Sequence, residues 1–139
     1  MIEPCIIEPI PQKDIADCAV CCLAMLVGVP YSTALAAFPR RIQSATSDEG
    51  FDRREVGNAA RRLGHTVLWH PGADFPEDMI GVLTVWRKDG RRKYRHDVIY
   101  SNGTIYNPAE NLLFTDVDVF LKRGGWTIEG LLVRQPKED

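Results

Sequence analysis

The chain has 139 residues, 45% hydrophobic and 26% charged, which predicts a single domain spanning 1–139 with a real core and excludes a disordered composition. Seventeen Lys and Arg against 19 Asp and Glu give a net charge of -2, so no basic field argues for nucleic acid or an anionic membrane. Met1-Ile-Glu-Pro-Cys5 has neither a basic n-region nor an apolar h-region, and no later run reaches spanning length, so a cytoplasmic chain without membrane insertion is expected. Four cysteines, with Cys18, Cys21 and Cys22 inside five residues, make no sensible disulfide framework and suit a reducing compartment.

Residues 4–11 read as extended and end in a turn. A helix is predicted over 17–27, with Cys18, Cys21, Cys22, Met25 and Leu26 recurring at steps of three and four as a buried stripe. Gly28 and Pro30 stop it. A short second helix is predicted over 32–38, capped by Ser32 or Thr33. The polar, aperiodic stretch 40–50 reads as a loop. A third helix, 52–63, gathers Val56, Ala59, Ala60 and Leu63 on one face and ends at Gly64. From there the pattern turns to strands at 65–69, 80–87, 96–100, 104–106 and 128–134. A short helix at 116–122 interrupts them, and Gly124-Gly125 turns the chain. Helices first and an antiparallel meander afterwards predict an α+β fold rather than a parallel βαβ sheet.

Asn102-Gly103 is the strongest two-residue hairpin signal, because both central residues of a type I′ turn need positive φ. With that turn Ser101 faces Thr104, Tyr100 faces Ile105, Val98 faces Asn107 and His96 faces Ala109. His96, Val98 and Asn107 then share one face, and the His96 and Asn107 backbones stand roughly 7–8 Å apart as diagonal neighbours. An Asn carbonyl can reach an imidazole N–H across that gap and fix its tautomer.

Cys18 opens the apolar helix, and Gln12 precedes it by six residues. A thiol at a helix start feels the positive end of the backbone dipole, which favours thiolate. A nearby carboxamide can stabilise an oxyanion. Asp17 fits a helix cap. Cys18, His96, Asn107 and Gln12 are therefore the candidate catalytic residues.

Gln12, Asp17, Cys18, Leu23, Met25, Gly28 and Tyr31, followed by His96-Asp-Val-Ile-Tyr100 and Asn107-Pro108, resemble the motifs of the papain-like cysteine peptidases. Within them the closest likeness is to the C39 peptidases, which remove double-glycine leaders from bacteriocins. The specific motifs cover only 12–31 and 96–108. The resemblance implies a papain-like cysteine proteinase fold, with N-terminal helices packed on a C-terminal antiparallel sheet. It also implies a cysteine peptidase acting on a peptide or protein substrate without cofactor or metal. Three features depart from the leader peptidases: Ala19 stands where they have Gly, Asn107 where they usually have Asp, and the transporter to which they are usually fused is not in this chain. The alternative is a catalytically silent domain of the same kind that binds a peptide or partner protein in its cleft.

The remaining motifs have plainer readings. Cys18-x-x-Cys21 lacks the preceding strand of a redox motif, and Cys5, Cys22, His65 and His70 supply no familiar zinc spacing. Cys21 and Cys22 are expected in the core. His65 and His70 read as rim residues, and Gly124-Gly125 as a structural turn. Arg53-Arg54 and Arg61-Arg62 read as solvated helix surface. Arg91-Arg92-Lys93 and Arg95 are expected in a loop just before His96, either as a soluble hairpin tip with edge-protecting charges or as a contact for an acidic substrate segment. Trp86 and Tyr94 are expected to line the cleft or to pack.

Overall fold

A computed structural model of the chain describes residues 18–38 and 52–135. The expected extended segment, Gln12, Asp17 and the loop 40–50 lie outside the described residues. The elements run α1 (Cys18–Val27), α2 (Tyr31–Ala36), α3 (Arg53–Arg62), β1 (Val67–Pro71), β2 (Ile80–Asp89), β3 (Arg92–Ser101), β4 (Thr104–Asn107), β5 (Leu112–Phe114), α4 (Val117–Gly124) and β6 (Thr127–Arg134). The protein is α+β, with a six-stranded sheet in the order β1-β6-β2-β3-β4-β5 whose neighbours are all antiparallel. It is not a plain meander. The last strand inserts between β1 and β2, a long-range pairing that local pattern does not encode.

The helix headed by Cys18 is buried on every side from Ala19 to Val27. A helix apolar all round belongs inside a layered core rather than on its surface. Here β2 and β3 lie beneath α1, and α2 and α3 pack against it. The expectation of a buried stripe understates this, because the small residues Ala19, Cys21, Cys22 and Ala24 are buried along with the large ones. Arg134 on β6 donates to the Leu26 carbonyl at 3.2 Å, satisfying a backbone acceptor at the helix end.

The α2 helix starts at Tyr31 behind Pro30, and no side chain caps it, so the expected Ser32 or Thr33 cap does not form. Proline's fixed φ and missing N–H suit a helix start. The α3 helix is closed by a capping box, in which the Glu55 amide donates to Asp52 at 2.9 Å and the Asp52 amide to Glu55 at 3.2 Å. Its Val56, Ala59 and Ala60 are buried.

Strand parity divides the core. Val82, Ile99, Tyr106 and Leu132 pack with α1. Leu83, Val85, Val98, Tyr100, Ile105, Phe114 and Leu131 pack with Phe120 of α4 on the other face. Phe114 and Phe120 meet edge to face at 5.3 Å between centroids, a favoured aromatic geometry.

The Asn102-Gly103 hairpin forms in the expected register, with Ser101 opposite Thr104 and Tyr100 opposite Ile105. Both turn residues have positive φ, 50° and 86°. The strand before it is longer than expected: β2 and β3 continue to Asp89 and Arg92, around a turn in which Gly90 has φ 62°. His96 therefore lies in mid-strand, and the basic cluster 91–95 stands at and beside the β2–β3 hairpin turn, as the hairpin-tip reading of these residues expects.

Candidate active site

Two of the four candidate residues meet. His96 on β3 and Asn107 at the end of β4 are joined by a 2.7 Å bond between ring Nε2 and carboxamide Oδ1. The hairpin register produces this contact, since it sets the two residues on the same face as Val98. The Ala109 amide also donates to Oδ1, at 3.1 Å, while Asn107 Nδ2 donates to Glu110 Oε1 at 2.9 Å. Donor and acceptor ends of the carboxamide are thereby distinguished, which assigns the ring tautomer. Nε2 carries the proton and donates, so Nδ1 keeps a lone pair in the neutral ring.

Asn107 is 3% exposed, and its partners come from the chain around it. Glu110 is held by Arg123 of α4 at 3.1 Å. Trp126, just after α4, stacks on the His96 ring with centroids 5.7 Å apart and 26° between planes. The Arg87 guanidinium lies 4.4 Å from the Trp126 ring centroid and donates to the Gly124 carbonyl at 3.0 Å. Burial lowers the His96 pKa and the Arg87 charge lowers it further, while the Asn107 bond and Glu110 oppose them. The ring is accordingly neutral at pH 7 and can accept a proton.

Cys18 is half-buried at the start of α1. The β3 face covered by α1 carries Ile99, whereas His96 has the parity of Val98 and projects from the other face. Gln12 lies outside the described residues.

Cys21 and Cys22 are fully buried, and none of Cys18, Cys21 and Cys22 is in a disulfide. Among the described residues no group of three or more His, Cys, Asp or Glu is placed to hold a metal ion, and no helix is long and apolar enough to cross a membrane. Gly124 ends α4 and Gly125 caps it at φ 66°, so the pair is a structural turn. Trp86 lies under Lys93, 4.4 Å from its Nζ, on the α1 face rather than beside His96. Sequence reasoning missed Glu110, Arg123, Arg87 and Trp126 as support for the ring. The acid three residues after Asn107 was a usable signal, but Arg87 and Trp126 reach His96 only through the fold.

Comparison with known proteins brings no match: no protein-family model, no curated protein and no solved structure matches the chain.

Proposed function

We propose that the chain is a cysteine peptidase of papain-like, C39-like type that cleaves a peptide or related amide bond in a reducing, cytoplasmic setting. The observation that carries this reading is the 2.7 Å His96–Asn107 bond, which leaves a neutral imidazole with one oriented basic nitrogen. In the proposed reaction Nδ1 of His96 takes the Cys18 thiol proton, and the thiolate adds to the scissile carbonyl. The imidazolium then protonates the leaving amine as the tetrahedral intermediate collapses to a thioester. Water, deprotonated by the same nitrogen, hydrolyses the thioester and restores the thiol. Gln12 and the Cys18 amide would stabilise the oxyanion.

A second reading, a catalytically silent domain that binds a peptide or partner protein, is favoured by one observation: α1 covers the sheet face opposite to the one from which His96 projects. Alkylation with iodoacetamide at slightly acidic pH separates the two readings. Rapid, selective modification of Cys18, abolished by His96→Ala, is the result expected of a peptidase. Equal sluggishness of all four cysteines would reject the peptidase and leave the binding domain.

A further inference from the structure

We propose that Glu110 is the positioning residue that sets the protonation pattern of His96. The inference rests on the peptidase reading for its purpose, but not for its geometry. Asn107 is buried, and a carboxamide in that position can turn either its oxygen or its nitrogen toward the ring. Turning the oxygen inward places the proton on Nε2 and leaves Nδ1 as the base, while turning the nitrogen inward forces the opposite tautomer. Two neighbours decide between them. The Ala109 amide donates to the oxygen at 3.1 Å, and Glu110 accepts from the nitrogen at 2.9 Å.

Among the described residues only Glu110 gives the nitrogen end a protein partner, and Arg123 holds its other oxygen at 3.1 Å. Without that carboxylate the buried Nδ2 has lost its acceptor, and a buried donor without an acceptor is strongly disfavoured. The carboxamide then turns to regain a partner, and the ring loses its single tautomer. The same contact explains why a carboxamide suits position 107 in this chain. A carboxylate there would face Glu110 acid to acid at hydrogen-bonding distance, and like charges so close cannot both stay ionised.

The test is nitrogen-15 NMR of the His96 ring near pH 8 in the full chain, with the His65 and His70 signals assigned by substitution. The wild type is expected as one tautomer protonated at Nε2. Glu110→Gln, which keeps an acceptor oxygen, should preserve that signature, whereas Glu110→Ala should lose it and give a mixture. Asn107→Asp should disturb the ring in the wild-type background and be rescued by Glu110→Gln, whose amide donates to the new carboxylate. A single Nε2–H tautomer retained in Glu110→Ala, or Asn107→Asp equally disruptive in both backgrounds, would overturn the proposal. If the tautomer responds as stated while Cys18 remains unreactive, Glu110 keeps its role and the peptidase reading fails instead.

Discussion

His96 and Asp97 are consecutive residues of β3 that leave the strand by opposite faces, into surroundings that shift their acidities in opposite senses. His96 projects toward Trp126 and Asn107. Asp97 projects toward the α1 side, where the Thr84 hydroxyl donates to its Oδ1 at 2.7 Å. Burial keeps both groups from charging, so the base becomes weaker and the acid weaker too.

For Asp97 burial pushes the pKa up from 3.8 to about 6, against the pull of the Thr84 bond and with a smaller push from Glu129. The unfolded chain ionises this carboxyl more readily than the folded one, so its contribution to stability falls as pH rises from 3.8 to about 6. Above that range the penalty is constant, on the order of 3 kcal/mol. Asp97→Asn removes the charge and keeps an acceptor for Thr84. Denaturant unfolding at pH 8 is expected to show the variant more stable by up to that amount, with the gain gone near pH 4. A variant no more stable than the wild type at pH 8 would mean that Asp97 reaches solvent or an unrecognised partner.

His96 gives the opposite slope. Its folded pKa lies below 6.5, so its contribution to stability is complete above 6.5 and is lost as pH falls through the folded value, where the unfolded chain binds the proton more readily. Proton NMR should find its midpoint below 6.5. Arg87→Gln removes a repelling charge and should raise the midpoint; Asn107→Ala removes a bond that favours the cation and should lower it further. Shifts of the reverse sign would contradict the causes assigned to the ring.

Gln12 carries the oxyanion part of the proposed reaction. Its replacement by Ala should lower turnover on the order of 100-fold to 1000-fold and leave the alkylation rate of Cys18 unchanged, because an oxyanion donor acts on the intermediate rather than on the thiol. Kinetics on a cleavable peptide alongside iodoacetamide labelling checks both halves. An equal drop in the two rates would make Gln12 a support for the helix start instead.

The His96–Asn107 contact was legible because it depends on short-range rules. Asn102-Gly103 tolerates the two positive φ values of its turn, and the alternation of a strand then decides which residues share a face. Other features depend on distant partners. The three-residue β5 shows no alternation, with Leu112 and Leu113 both exposed. The place of β6 beside β2 follows from the pairing of Leu131 with Leu83, more than forty positions away. The layer over α1 escaped for a similar reason, since a helix buried all round has no stripe to read. Trp126 stood next to a turn in sequence, and only the closure of α4 against β4 and β5 brings it over His96.

Gly124 is the point where that closure can be tested with one atom. A Cβ built there would collide with the Trp126 indole, so the missing side chain is what lets the indole fold back beside the helix end and stack on His96. Gly124→Ala cannot be absorbed by the neighbouring backbone alone, because the Gly124 carbonyl also accepts from Arg87. The indole must swing outward, taking with it the surface over which Arg87 lies. The ring then gains solvent, and since desolvation is the largest cause of its lowered pKa, the midpoint of His96 should rise toward 6.5. Trp126 emission should shift to the red in the same variant, while Asp97, on the far face of the sheet, should keep its raised value. Unchanged emission and an unchanged His96 midpoint would mean that the helix end yields instead of the indole, and that Trp126 holds its position over the ring by contacts other than the room left at Gly124.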